Sequence, residues 1–208
     1  MGNEPRKTVV DRKSKETEII AELNVDGAGT TRIKTPVGLL DHMLELFAFH
    51  GFFDLILEVK KADTNIDMHH TNEDIGIVLG KAFKKALGDD KPGIKRFGSA
   101  FAPMESTLGQ TVVDISGRGH LHIAVEGITP QSGEDNYSFQ HLEHFLESFA
   151  KNLGANIIVR IYNPMNSTAD IHTVMETVFK SLGMALDQAT TVDVRRKGQV
   201  PSTKGIID

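Results

Sequence analysis

Two stretches of this chain, "LLDHMLELFAFHG" (39–51) and "HLEHFLESFAKNL" (141–153), align at an offset of 102 residues. Asp41 falls on Glu143, His42 on His144, Leu44 on Leu146, Glu45 on Glu147, Phe47 on Phe149 and Ala48 on Ala150. A second pair, "HHTNEDIGIVLGKAFKKAL" (69–87) and "HTVMETVFKSLGMALDQA" (172–189), aligns at an offset of 103, with His69 on His172 and Glu73 on Glu176. Opposite His70 stands Thr173. Two matched segments in the same order, with residues of metal-ligand type in register, mark an internal duplication. The chain must therefore build one α/β unit twice.

The local patterns agree. In the first half, "TEIIAELNVDG" and "TTRIKT" read as strands joined by a Gly-rich turn at Asp26–Gly29. Residues 39–50 read as an amphipathic helix, "FDLILEVK" as an alternating strand and 71–87 as a second helix that stops at the Gly88–Gly93 loop. The second half repeats the scheme with "QTVVDIS" and "HLHIAVEG" as strands, 138–152 as helix, "ANIIVRIY" as strand and 172–189 as helix. The expected fold is α/β of the α+β type: a duplicated ββαβα unit giving two mixed sheets, each with helices packed on one side. The halves divide as residues 1–98 and 99–200, followed by a polar tail, 201–208.

The pattern carries chemistry as well. "DMHHTNED" (67–74) sets two histidines beside a glutamate, flanked by Asp67 and Asp74. At about 100° per helical residue, His70 and Glu73 are expected to share a face while His69 looks elsewhere, so the pair could serve two ions. The chain has nine histidines and no cysteine, so a metal here must sit on imidazole and carboxylate. Such mixed nitrogen and oxygen donors suit manganese, iron or zinc, and six-coordinate manganese or iron best. Asp67 and Asp74 are placed to orient the ligands. The repeat points to His42, His69, His70, His144 and His172 as ligands, whereas His50, His120, His122 and His141 read as ordinary surface or core histidines.

Basic turns add a second theme. "GIKRFG" offers Arg96, "DISGRG" Arg118 and "PSTKG" Ser202 with Lys204, the groups a small phosphate monoester needs. A net charge of −5 and the absence of tryptophan argue against nucleic acid, and the apolar runs are too short to span a membrane. An intracellular, cytoplasmic protein is expected.

These residues in this order resemble the imidazoleglycerol-phosphate dehydratases of histidine biosynthesis. The likeness runs from "KETEI" through "LLDHML", "HHTNED", "GIKRFG", "PMES", "DISGRG", "EHF" and Lys180 of "FK" to "PSTKG". It implies a metal-dependent dehydration of imidazoleglycerol phosphate to imidazoleacetol phosphate, in a 24-subunit homo-oligomer with active sites at subunit contacts. It implies two Mn2+ ions, one on His69, His144, His172 and Glu176, the other on His42, His70 and Glu73. It also implies phosphate contacts at Arg96, Arg118, Ser202 and Lys204 with Lys180 nearby, a substrate contact at Glu16, and Glu16 and Glu176 as acid/base residues.

The chain departs from the family pattern at Thr173, where a second ligand histidine is expected, and at Leu46, Ser106 and Gly119. The segment "NPMNSTAD" also lacks the family's glycine-rich run. Those departures leave a second reading, a family member with reduced or lost catalysis kept for metal binding or assembly.

Overall fold

A computed structural model describes residues 6–64, 68–130 and 137–207. Asp67, expected to orient a ligand, lies outside them. The element order is β1 (Lys7–Lys13), β2 (Glu18–Asn24), β3 (Thr31–Lys34), α1 (Gly38–His50), β4 (Asp54–Lys61), α2 (His69–Leu87), then β5 (Phe97–Met104), β6 (Thr107–Asp114), β7 (His120–Pro130), α3 (Phe139–Leu153), β8 (Asn156–Ala169) and α4 (Ile171–Thr190). Each half forms a mixed four-stranded sheet, ordered β1-β2-β4-β3 and β5-β6-β8-β7.

Two features differ from the sequence expectation. Each unit opens with one more strand, β1 or β5, paired antiparallel to the edge of the expected sheet. "KTVVDRK" and "FGSAFAPM" carry too few large apolar residues to announce themselves as strands; an edge strand needs only one partner. In addition, β2 and β3 do not form a hairpin. β4 lies between them, antiparallel to β2 and parallel to β3, because α1 makes the crossover that a parallel pair requires. The turn from Asn24 to Thr30 is instead pinned by Asp54, whose carboxylate accepts from Asn24 Nδ2 (2.9 Å), Ala28 N (2.9 Å) and Thr30 N (3.1 Å).

Alternation sends Ile19, Ala21 and Leu23 of β2, Leu55 and Leu57 of β4, and Ile157, Val159 and Ile161 of β8 inward. The helices cover only those inner faces. α2 lies on β1 and β2, α4 on β5 and β6, and the two helical layers meet in the middle. They meet across the halves: α1 packs on α4, and α2 on α3.

The close crossings are repeat mates. Gly183 of α4 faces the Phe47 carbonyl of α1, and Gly80 of α2 faces the Phe149 carbonyl of α3. A Cβ added there would lie 2.3 Å and 2.6 Å from those oxygens. Between the crossings the Phe47 and Phe149 rings, also repeat mates, meet edge to face at 6.3 Å. No helix among the described residues is long and apolar enough to cross a membrane.

Candidate functional site

The cross-half helix pairing gathers two triads. His42 on α1 meets His172 and Glu176 on α4, and His144 on α3 meets His69 and Glu73 on α2; in each set one donor atom per residue lies within 4.8 Å of the others. The triads are images of each other under the duplication, since His42, His172 and Glu176 are the repeat mates of His144, His69 and Glu73. Each takes one histidine from one half and a His–Glu pair, four residues apart, from the other.

In the first triad Glu176 Oε1 lies 3.4 Å from His42 Nε2 and 3.1 Å from His172 Nε2. Its other oxygen accepts from Lys180 Nζ. Burial opposes the Glu176 charge, but Lys180 and the two imidazoles outweigh it, and its pKa falls below the ordinary glutamate value. In the second triad His69 Nε2 is 3.0 Å from Glu73 Oε1, and its Nδ1 is 3.1 Å from His144 Nδ1.

The spacings of the first triad suit a shared cation. Two bonds of about 2.1 Å, at right angles or tetrahedral, put donor atoms about 3.0–3.4 Å apart. In the first triad both Nε2 atoms meet one carboxylate oxygen, so the three donors converge; in the second, His69 presents opposite ring nitrogens to Glu73 and His144, so a shared ion needs the His69 ring to turn.

Within one chain the donors group differently from the sets that the resemblance implied at subunit contacts. His69 and His144 do sit together, but Glu73 joins them and Glu176 does not; His42 sits with His172 and Glu176. Membership follows helix pairing, which sets α1 against α4 and α2 against α3. The expected sharing of a face by His70 and Glu73 also fails. Four residues of helix return to within about 40° of the start and three fall about 60° short, so Glu73 turns to His69. His70 points the other way, to Glu16 Oε2 (3.6 Å) and Asp63 Oδ2 (3.9 Å), a third set whose donor atoms lie within 4.8 Å of one another.

Glu16 reaches His70 from the β1–β2 turn. Ser14 closes that turn by accepting from the amides of Glu16 (3.1 Å) and Thr17 (3.0 Å). Asp74 does not orient a histidine, as its place beside Glu73 suggested. It accepts from Thr17 Oγ1 (2.5 Å) and Arg12 Nη2 (2.8 Å).

The basic groups lie elsewhere. Arg96, held at φ 76°, donates to Asp114 through Nε (2.6 Å) and Nη2 (3.0 Å) and to the Pro201 carbonyl through Nη1 (3.1 Å). That leaves one N–H on each terminal nitrogen for a ligand. The same contacts hold the tail so that Ser202 lies beside Arg96, with the Lys204 amide on Ser202 Oγ (3.2 Å). The side chains of Arg118 and Lys204 are exposed. Arg96 N donates to Ala189 O (2.8 Å), so Arg96 and the tail sit at the C-terminal end of α4, while the turn of Arg118 pairs with Gly154 at the end of α3. Glu176 is in the second turn of α4. Thirteen residues at 1.5 Å each separate the two ends by about 20 Å.

The remaining histidines and the departures have local explanations. His141 caps α3 in a reciprocal box with Ser138, and His120 and His122 are exposed on β7. Partial burial and the nearby Lys180 charge push the His50 pKa down. The Thr173 amide donates to Asp170 Oδ1 (2.6 Å) as α4 begins. Leu46 packs against the core, and Ser106 Oγ accepts from Asn163 (3.1 Å). At Gly119 a Cβ would lie 2.3 Å from Lys151 Cα, so α3 excludes any side chain there, proline included.

Sequence reasoning missed Asp63, Arg12 and Thr17. It also missed the buried pair in which Tyr137 donates to Asn72 (2.7 Å) while Asn72 donates to the His141 carbonyl (2.7 Å), tying α2 to α3 one turn from the second triad. Only the placement of two tyrosines in a chain this poor in aromatics hinted at the last.

Comparison with known proteins follows the same lines. The sequence model of the imidazoleglycerol-phosphate dehydratase family matches residues 35–186. Curated imidazoleglycerol-phosphate dehydratases from Thermoanaerobacter sp. (strain X514) and Bacillus pumilus are 48% and 45% identical over 202 residues, 97% of this chain and 100% of each relative. A crystal structure of the Pyrococcus furiosus enzyme in complex with (S)-C348 superposes with a TM-score of 0.78 at 34% identity, covering 95% of this chain and 99% of that one. The Staphylococcus aureus enzyme superposes with a TM-score of 0.75 at 28% identity, covering 89% and 100%.

Proposed function

We propose, for a chain that belongs to the imidazoleglycerol-phosphate dehydratase family, that its two repeat-related triads and a basic cluster from a neighbouring subunit together form the site at which water is removed. The reaction is the family's hydro-lyase step of histidine biosynthesis, from imidazoleglycerol phosphate to imidazoleacetol phosphate. The observation that carries the site is the pairing of His42 with His172 and Glu176, mirrored by His144 with His69 and Glu73.

His42, His172 and Glu176 would hold one divalent cation and His69, Glu73 and His144 a second. When bound, such ions, Mn2+ by donor preference, act on the imidazole ring as Lewis acids and fix its orientation. The rest falls to side chains. The proton on the carbon next to the leaving hydroxyl is not acidic, so elimination needs one group to deliver a proton and another to remove one. Glu176, beside Lys180 and two imidazoles, is taken for proton removal on the family resemblance. Glu16, exposed and beside His70, suits exchange at the hydroxyl side. Arg118, Ser202, Lys204 and the two free N–H groups of Arg96 suit the phosphate, with Lys180 nearer the triad.

A separation of about 20 Å along α4 exceeds the reach of so small a substrate. The phosphate cluster of one subunit therefore serves the triads of another, in a homo-oligomer of the 24-subunit kind that the family resemblance implies. The same reading places the enzyme in the cytoplasm. Mixing tests it. Arg118→Ala and Glu176→Gln subunits, each impaired alone, regain turnover when dissociated together and reassembled. Mixed particles no more active than the parents would rule out a shared site.

A further inference from the structure

Glu16 and His70 form a pair only in the first repeat, and the second repeat shows what supports them there. The β1–β2 hairpin corresponds to β5–β6 at an offset of 90: Arg12 pairs with Ile19 as Ala102 pairs with Gly109. Ser106 thus occupies the place of Glu16, Thr107 that of Thr17 and Ala102 that of Arg12. On the helices, Thr173 replaces His70 and Thr177 replaces Asp74.

The two hairpins are held differently. The tip of the second is tied to its own sheet: Asn163 on β8 donates to Ser106 Oγ (3.1 Å) and to Thr107 Oγ1 (3.4 Å). Thr177 turns away and donates to the Val174 carbonyl of its own helix (2.8 Å). The tip of the first is tied to the ligand-bearing helix instead. Thr17 is fully buried and donates to Asp74, itself 6% exposed, at 2.5 Å; Arg12 Nη2 holds the other carboxylate oxygen at 2.8 Å. The helix latch is present in the repeat that carries Glu16 and His70, and absent from the repeat that carries Ser106 and Thr173.

We propose that Asp74 is a positioning residue, acting through the Thr17 hydroxyl to hold Glu16 at its working distance from His70. The inference rests on the reading of Glu16 as a proton carrier. Glu16 sits at the tip of a four-residue turn and is half exposed, and its own contact with α2, 3.6 Å to His70, is too long for a hydrogen bond that would fix the turn. The buried charge-assisted hydrogen bond from its neighbour fixes it. Because Asp74 follows Glu73 directly, one turn of α2 sets the Glu16 side and the second triad together. A displacement of Glu16 by about 1 Å costs up to about a hundredfold in the chemical step.

The test uses the assembled, metal-loaded enzyme and the conservative pair Thr17→Val and Thr17→Ser, with Asp74→Asn and Glu16→Gln beside them. Thr17→Val keeps shape and removes the donor. A ten- to hundredfold lower kcat is expected, with KM and bound metal near wild type, and Thr17→Ser should restore kcat. Loss of a purely structural hydrogen bond would lower the melting temperature without that selective kcat loss and rescue. Thr17→Val at wild-type kcat, with Glu16→Gln impaired, overturns the inference alone. Full kcat in Glu16→Gln overturns the role of Glu16 and the inference with it. Asp74→Asn, which keeps an acceptor for Thr17 but loses the charge that holds Arg12, should fall between wild type and Thr17→Val, and a metal-depleted Thr17→Val would overturn the inference by showing that the latch serves the triad and not Glu16.

Discussion

Replacing Gly183 with alanine would put a methyl carbon 2.3 Å from the Phe47 carbonyl oxygen, where ordinary contact begins near 3.4 Å. The shortfall is about 1 Å, and the obstacle is helix backbone, so α1 and α4 must part by roughly that amount. Overpacking of this kind costs about 1–3 kcal/mol. Better helix propensity returns about 1 kcal/mol. The net loss of stability is therefore modest, about 0–2 kcal/mol.

The effect on the first triad should be larger. His42 on α1 and His172 with Glu176 on α4 hold donor atoms 3.1–3.4 Å apart, and metal sites tolerate about 0.2 Å. Gly183→Ala should lower metal affinity at that triad by about ten- to a hundredfold, as read by competition against a chelator of known affinity. Gly80→Ala should do the same at the second triad, where the clash is with the Phe149 carbonyl at 2.6 Å. Gly38→Ala meets nothing within 4 Å and serves as the control. A Gly183→Ala protein that loses stability yet binds metal as tightly as wild type refutes the idea that this crossing sets the triad.

Three further outcomes follow from local geometry. Asp54→Ala should cost about 1–2 kcal/mol by urea denaturation at neutral pH, because it releases the amides of Ala28 and Thr30 and the Asn24 side chain. Those hydrogen bonds, the Ala28 amide foremost, hold the Asp54 pKa below the ordinary aspartate value. Its contribution is therefore full above the ordinary value and fades as pH falls through the lowered one, so wild type and variant should converge in acid. Tyr137→Phe should cost about 1–3 kcal/mol by leaving buried Asn72 short of a donor, and should weaken metal binding at the second triad more than at the first. Thr173→Ala should leave metal content unchanged, since Thr173 lies outside both triads, and elemental analysis of the purified protein checks it.

The four helices and the recurring histidines and glutamates were legible because both signals are periodic. A core-facing stripe recurs every three to four residues, and the histidines and glutamates recur at 102 or 103. The edge strands were not, since β1 and β5 bury small or partly apolar faces and depend on β2 and β6 to be strands at all. Triad membership was also hidden. Whether His42 meets Glu73 or Glu176 depends on which helices pair across the halves, and the clearest marks of that pairing, Gly80 and Gly183, matter only for what they let approach. Thr17 and Asp74 lie 57 positions apart and Arg12 further still, with no local pattern to announce their meeting. Arg96 was recognisable as a basic loop residue, but its commitment to Asp114 and Pro201 is a property of the folded tail.

The most direct measurement is manganese bound per subunit together with turnover of imidazoleglycerol phosphate, in wild type, His42→Ala and His144→Ala. Two ions per subunit are expected in wild type and one in each variant, with turnover lost from both. Two ions retained in either variant, or full turnover with one triad broken, would contradict the paired-triad site.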